Sequence, residues 1–399
     1  GYRRRSVSKN LIELMARLER GPAAPTALDV LKQAVDDHGA VTDDDRRRAA
    51  QVSGLPEAAV HGISTYYDDL TQPRGARHVR VCTGTACWAA SGDDVHGLAA
   101  HVHAAEQGLG ASLNTCSADG AVSLGETVCL GFCHAGPAYR DGDTVDAGPG
   151  ALERILAGHP HEAVEPEWES DLPEPILIRP GDFSGLRHAL AALTPQQLLD
   201  EVRGANVRGR GGAGFPAGDK WSFVARNPAP AHQKAIVVNG DEGDPGSYID
   251  KYLMEKNPAL LLEGMALAGY ATGASQGLIL VRSEYPRSKP ALEEAIARAV
   301  AAGELGEDIL GSGFSFHVAV REGAGSYVVG EETALLASLM GLRGTVSARP
   351  PFPAERGYMG LPTVVNNVET LCNAAYIARH GAAAYAELSP GATPGTKLV

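Results

Sequence analysis

The sequence predicts an α/β protein of more than one unit: a helical N-terminal segment, a small α/β domain, and a larger α/β domain on a mainly parallel sheet. Three observations carry this. The 399 residues suffice for two or three cores of ordinary size. The first 72 residues place apolar side chains at helical spacing behind helix-start signals. After residue 176, short apolar runs such as Ala235-Ile236-Val237-Val238 alternate with helical stretches, the pattern of parallel strands joined by helical crossovers.

Taken in order, Leu11, Leu14, Met15 and Leu18 share a helical face. Thr42 before Asp43 and Asp44 marks a helix start. After a turn at Gly54, a second helix runs through Val60, Ile63 and Tyr66-Tyr67. This arrangement also suits a DNA-binding helix-turn-helix. The acidic Asp68-Asp69 and a net charge of −13 favour a packing role instead. Residues 77–157 alternate again, with strands at Val79-Arg80-Val81 and Val122 to Cys129 and a helix from Val95 to Gln107. Residues 158–175 are rich in Pro and Glu and lack an apolar period. They predict an exposed linker, and its His159 and His161 have no Cys or carboxylate pattern to suggest a metal site. Beyond it, strands at Ala235–Val238, Leu278–Val281 and Phe314–Val320 alternate with helices at Pro290–Ala302 and Glu331–Met340. Ligands of such sheets gather at the carboxyl ends of the strands. Gly395 to Val399 reads as the start of a further strand, so the protein is expected to continue.

With 44% hydrophobic and 21% charged residues, the chain reads as an ordinary soluble globular protein. The acidic balance argues against nucleic acid or an anionic membrane surface as the main partner. The longest apolar stretch, Leu260 to Val281, is broken by Glu263 and several glycines and does not suit direct membrane insertion. No signal peptide is visible, and a cytoplasmic location is the expectation.

Four of the six cysteines form two pairs, Cys82-x4-Cys87 and Cys129-x3-Cys133, about forty residues apart. Structural zinc sites mostly use C-x2-C pairs. Wider loops can wrap a binuclear 2Fe–2S cluster, each pair holding one iron. That is the preferred reading; zinc and a thiol–disulfide pair are the alternatives. Gly84 and Gly131 would let backbone N–H groups approach the sulfur. Cys116 and Cys372 stand alone and read as small buried hydrophobes.

The most glycine-rich stretch is Arg208-Gly209-Arg210-Gly211-Gly212-Ala213-Gly214-Phe215-Pro216-Ala217-Gly218-Asp219-Lys220. Glycines there let backbone lie against a flat cofactor or a phosphate. It matches neither the phosphate-binding P-loop nor the dinucleotide fingerprint. Three other loops accompany it: Asn239-Gly240-Asp241-Glu242-Gly243-Asp244-Pro245-Gly246; Gly323 to Tyr327, leading to Gly330-Glu331-Glu332; and Arg349-Pro350-Pro351-Phe352, preceding Pro362 to Thr370. Their carboxylates and amides can hydrogen-bond a cofactor's sugar chain or ring edge. The bland alternative is that they cap turns.

At these motifs the sequence resembles two subunits of respiratory complex I. Residues 5–157, with both Cys pairs behind His61-Gly62-Ile63-Ser64-Thr65-Tyr66-Tyr67, look like the 24-kDa-type subunit. Residues 180–399 are similar to the 51-kDa-type flavoprotein subunit and to the diaphorase subunits of NAD-reducing hydrogenases and NAD-linked formate dehydrogenases. The fused arrangement and the Gly240 and Asp244 loop, where many complex I members have Ala and Glu, look most like the hydrogenase type; a formate dehydrogenase or complex I subunit is the alternative.

The resemblance implies a helical bundle over 1–72, a thioredoxin-like 2Fe–2S domain over 73–157, a linker over 158–175, and a Rossmann-like FMN- and NAD(H)-binding domain over 176–399. It implies cluster ligation by Cys82, Cys87, Cys129 and Cys133. Gly209, Arg210, Gly211, Gly212 and Lys220 would meet FMN, with Lys220 near its phosphate. Asn239, Asp241, Glu242, Tyr327, Gly330, Glu331 and Glu332 would line the flavin, and Asn366 and Asn367 its phosphate and ribityl end. Phe215, Phe223 and Phe352 would flank the dinucleotide, with Arg349 near its phosphates and Asp244 toward the nucleotide. The implied activity is an NADH:acceptor oxidoreductase with no protein nucleophile or general base, hydride transfer being borne by the cofactors. It also implies iron–sulfur and catalytic partner subunits in a hetero-oligomeric complex, and a 4Fe–4S cluster in a region that would follow residue 399.

Overall fold

The computed structural model describes residues 25–91, 97–172, 175–389 and 395–399; the face of Leu11, Leu14, Met15 and Leu18 lies outside them. Helices α1 (Ala27–His38) and α2 (Asp43–Ser53) begin in capping boxes: the hydroxyls of Thr26 and Thr42 accept from the N–H of Asp29 and Asp45, whose carboxylates accept in return. They end at Gly39 and Gly54 in the left-handed conformation that glycine tolerates best. Helix α3 (Glu57–Ser64) stops before Tyr66 and Tyr67, which the sequence placed inside it. Both tyrosines leave the helix to donate to the carbonyls of Gly344 and Leu342, at 2.6 and 2.7 Å.

A small mixed sheet follows. It consists of β1 (Arg77–Cys82), β2 (Thr115–Cys116), β3 (Val122–Thr127), β4 (Ala138–Asp141) and β5 (Thr144–Ala147) in the order β2-β3-β1-β4-β5. Only β1 and β3 run parallel. Val79, Val81, Leu124 and Tyr139 meet Ala105 and Ile155 in its core. Residues 159–170 form neither helix nor strand and are mostly exposed, yet three points anchor them to the folded units. The Ala163 N–H donates to the Val145 carbonyl at 2.7 Å, Glu165 is buried in ion pairs with Lys251 and Arg287, and the Trp168 ring lies 4.8 Å from that of Tyr252. Within this largely exposed tether the Glu165 carboxylate is drawn inward by two cations of the larger unit.

The larger sheet has β6 (Ala235–Gly240), β7 (Gln276–Val281), β8 (His317–Glu322) and β9 (Thr363–Asn367) in the order β8-β7-β6-β9, all parallel. Three strand readings are corrected. β8 starts three residues later than expected, because Phe316 turns into the core and pairs with Gly306 instead. Thr363–Asn367, read as loop, is a strand beside β6; its short run is flanked by Pro and Asn, and only pairing with β6 makes it extended. Gly395 to Val399 forms no strand; the Leu398 N–H donates to Glu369.

Period-two alternation sends Ile236, Val238, Ile279, Val281 and Val364 to one face. Helices α4 (Pro258–Thr272) and α5 (Val368–Glu387) cover it with Leu261, Met265, Leu371 and Ile377. Ala235, Val237, Leu278, Leu280 and Val365 point the other way. There they meet Leu28, Leu31 and Val35 of α1, Val60 and Ile63 of α3, and Leu335 and Leu339. The N-terminal helices therefore roof the large sheet, which is the packing role expected of them.

Candidate functional site

Because all four strands of the large sheet are parallel, their carboxyl ends share one edge. The glycine-rich loop reaches that edge. The Gly209 N–H donates to Phe215 O at 3.0 Å and Arg208 pairs with Pro216, closing the loop into a hairpin-like turn. Gly212 and Gly214 take positive φ, 101° and 64°, which favours glycine. The Arg210 N–H donates to Thr370 Oγ1 at 2.9 Å, and a Cβ on Gly211 would meet Asn367 at 3.1 Å. The loop thus lies on the end of β9 with its backbone bare, a cradle that side chains would fill. The Arg210 Nε is buried without a hydrogen-bond partner, and Phe215, Phe223 and Phe352 expose their rings. Phe215 and Phe223 lie 6.4 Å apart, while Phe352 stands on another loop. These features fit a flat, phosphate-bearing cofactor.

Several predicted side chains are tied into the protein. Lys220 Nζ donates to Val365 O at 2.9 Å and lies 3.3 Å from Glu332. Trp221 Nε1 donates to Asn366 Oδ1 at 2.7 Å. Asn367 accepts from the Thr370 N–H and donates to Asp250 at 2.5 Å. Glu331 accepts from the N–H groups of Thr333 and Ala334, capping the helix Glu332–Leu339, and Arg349 pairs with Glu332 at 2.5 Å.

On the loop after β6, Asn239 Nδ2 donates to Gly330 O at 2.8 Å and Tyr327 OH to Asp244 at 2.6 Å. The Glu242 carboxylate accepts from the N–H groups of Ile249, Asp250 and Lys251, and so caps the helix Ile249–Lys256. Burial pushes the Asp241 carboxyl up to about 7, against the pull of Arg282 3.9 Å away. Asp241 can therefore donate as well as accept near neutral pH.

Arg282, Ser283 and Glu284, at the end of β7, were not singled out from sequence. With Asp241 and Gly323 to Tyr327 they line a cleft. Arg282 is buried and donates to the carbonyls of Glu242 and Val128 and to Glu284. Charged residues directly after an apolar strand were the available signal.

The four paired cysteines come together as two pairs. Cys82 ends β1 and Cys87 lies on the helix Thr85–Ala90; Cys129 and Cys133 flank a loop, their sulfurs 3.4 Å apart. Among the described residues no three His, Cys, Asp or Glu side chains converge on a single metal position. Two pairs of thiols suit a binuclear cluster better than one tetrahedral ion. The Gly131 N–H donates to Cys129 Sγ at 3.4 Å, as expected, and the Gly246 N–H of the large unit donates to Cys133 Sγ at 3.1 Å. A hydrogen bond from Cys87, with N–H groups of Gly84, Leu130 and Cys129, pulls the Cys82 thiol down to about 6. Hydrogen bonding from Cys129, with the Gly246 N–H, brings Cys133 down to about 7. The same pairing, with burial, pushes the Cys87 and Cys129 thiols up, so each pair shares its protons, and the amide N–H groups beside it suit anionic sulfur. Gly84 and Gly131 have a second role: side chains there would press on Pro245 and Lys251 of the large unit. Cys116 is half-buried on β2 and Cys372 buried in α5, both apart from the pairs.

Comparison with known proteins agrees with this geometry. Residues 13–156 match the thioredoxin-like [2Fe-2S] ferredoxin family, and residues 202–376 match the Nuo51 FMN-binding domain. An NADH-quinone oxidoreductase subunit of Rhizobium meliloti (strain 1021) is 46% identical over 218 residues, 55% of this chain and 51% of that protein. The NADP-reducing hydrogenase subunit HndC of Solidesulfovibrio fructosivorans is 44% identical over 235 residues, 59% of this chain and 46% of that one. The chain spans about half the length of these curated relatives. A crystal structure of NAD+-reducing [NiFe]-hydrogenase in the H2-reduced state superposes with a TM-score of 0.81 at 29% identity, over 94% of this chain and 65% of that chain. Each unit thus matches its own family model, the small mixed sheet the thioredoxin-like [2Fe-2S] ferredoxin and the parallel sheet the Nuo51 FMN-binding domain.

Proposed function

We propose that the chain is the NAD(H)-oxidising input module, a diaphorase, of a soluble NAD-reducing hydrogenase. The observation that carries this reading is one convergence. The glycine cradle, Lys220, Asn366 and Asn367 meet the acidic loop after β6 at the same sheet edge, and Gly246 of that loop reaches Cys133. Bound FMN supplies hydride exchange with the nicotinamide and single-electron exchange with the 2Fe–2S cluster.

The chain's own residues position these groups. Gly209, Arg210, Gly211 and Gly212 admit the flavin ring, and Lys220 meets the phosphate beside Asn366 and Asn367. Asn239, Asp241, Gly330, Glu331 and Glu332 line the flavin, while Glu242 supports that wall as a helix cap. Phe215, Phe223 and Phe352 receive the dinucleotide, with Arg349 at its phosphates and Tyr327 and Asp244 as a hydrogen-bonded gatepost. Cys82, Cys87, Cys129 and Cys133 hold the cluster. Holding the nicotinamide against the flavin at near-attack separation is the protein's main contribution. The reading keeps domain limits at 72, 157 and 175, and places the next carrier, a 4Fe–4S cluster, on a segment or subunit beyond these residues. Iron–sulfur and catalytic subunits are its partners, and the cytoplasm is its location. Among the described residues no helix is long and apolar enough to cross a membrane.

Purified chain with FMN bound is expected to reduce ferricyanide with NADH, and to contain two iron and two sulfide per chain, the composition of one such cluster. Bound flavin without NADH-dependent turnover would defeat the enzyme reading, and zinc in place of iron would defeat the cluster. The 46% identity to a quinone-linked relative favours a second reading, a complex I-type or formate dehydrogenase subunit. Mass spectrometry of the intact complex separates them by the partner found: a nickel–iron, membrane or molybdenum subunit.

A further inference from the structure

Where the two units meet, two cations of the large unit face one ring of the cysteine loop. Lys251 is 1% exposed, and its Nζ lies 4.1 Å from the centre of Phe132; the Arg287 guanidinium lies 5.2 Å from the same ring. Phe132 is buried and immediately precedes Cys133. The neighbouring Gly131 lacks the Cβ that would collide with the Lys251 methylenes. Behind the cations stand Glu165, paired with both, and Glu255, 3.2 Å from Lys251 and 3.8 Å from Arg287. Buried charge is weakly screened. Reduction adds negative charge to a cluster, and nearby charge and hydrogen bonds set its potential.

We infer that Lys251 is a positioning residue for the 2Fe–2S centre. It holds the Cys129–Cys133 loop through Phe132 and, with Arg287, raises the cluster's reduction potential, which Glu165 opposes. The inference rests on the cluster reading above. The test is an EPR-monitored redox titration of the whole chain, with iron and sulfide measured on the same samples. Lys251→Met is expected to lower the reduction equilibrium about tenfold, about 59 mV for one electron. Lys251→Arg should restore the wild-type value, and Glu165→Gln should shift it upward. Wild-type potentials in Lys251→Met and Glu165→Gln, or shifts in the same direction, would overturn the inference. If Lys251→Met loses its cluster, the upward shift in Glu165→Gln supports the charge effect and its absence overturns it. A wild-type chain without iron and sulfide would overturn the cluster reading itself, and the inference with it.

Discussion

Gly211 shows how little room the cradle leaves. A Cβ there would already meet Asn367 at 3.1 Å, so the two methyls of valine must displace either the loop or Asn367. Gly211→Val is expected to weaken flavin binding at least about tenfold, about 1.4 kcal/mol, in a fluorescence titration; unchanged affinity would refute the loop's placement. Glu263 is a residue-scale case of linkage. Burial raises its carboxyl to about 7, although the N–H groups of Leu186 and Gly185 favour the charged form. The unfolded chain releases this proton near pH 4.3, the folded chain only near 7. Between those values the folded state binds more protons, so stability falls as pH rises, by about 4 kcal/mol at most. Urea unfolding at pH 5 and pH 8 should show a smaller difference for Glu263→Gln than for wild type. An equal difference would exclude Glu263 as its source. From sequence Glu263 was visible only as a break in an apolar stretch, since nothing local reveals that it reaches the start of the helix Ser184–Ala192.

At the scale of elements, β6 was plain in the sequence and β9 was not. Ala235 to Val238 is apolar throughout because both faces are covered, the usual mark of a parallel central strand. Thr363 to Asn367 is an edge strand whose polar end lies against the glycine-rich loop and whose extension depends on β6. The helix starts at Thr26 and Thr42 follow from local capping chemistry and need no tertiary information. What those helices cover is another matter. Leu31 is fully buried in the core shared with Val237 and Leu278. Leu31→Ala is expected to cost about 2–5 kcal/mol, seen as a lower urea midpoint for the whole transition monitored by circular dichroism. A variant in which α1 melts alone, leaving the sheet transition unchanged, would contradict the shared core.

At the scale of the whole molecule, the interface between the cysteine unit and the large sheet is charged and buried. Arg282 reaches Val128 O at 2.9 Å on one side and Glu242 O and Glu284 on the other. Arg282→Met strips Asp241 and Glu284 of their cation; losing one partner of a buried charge costs about 3–5 kcal/mol. Faster hydrogen exchange in residues 129–133 is the expected sign, and unaltered exchange there would show that the loop is held independently. The sequence by itself determined the donor sets and the local architecture: thiol pairs at spacings zinc seldom uses, glycine loops, capping boxes and alternating strands and helices. All of these are written within a few neighbouring residues. The three-dimensional packing alone shows that the N-terminal helices roof the large sheet, that Glu242 caps a helix, that Glu165 of the tether pairs with Lys251 and Arg287, and that Gly246 and Lys251 attend the cysteine loop. Those contacts join residues as far apart as Tyr66 and Gly344, 278 positions along the chain, and no local period or spacing encodes which distant surface a folded element will meet.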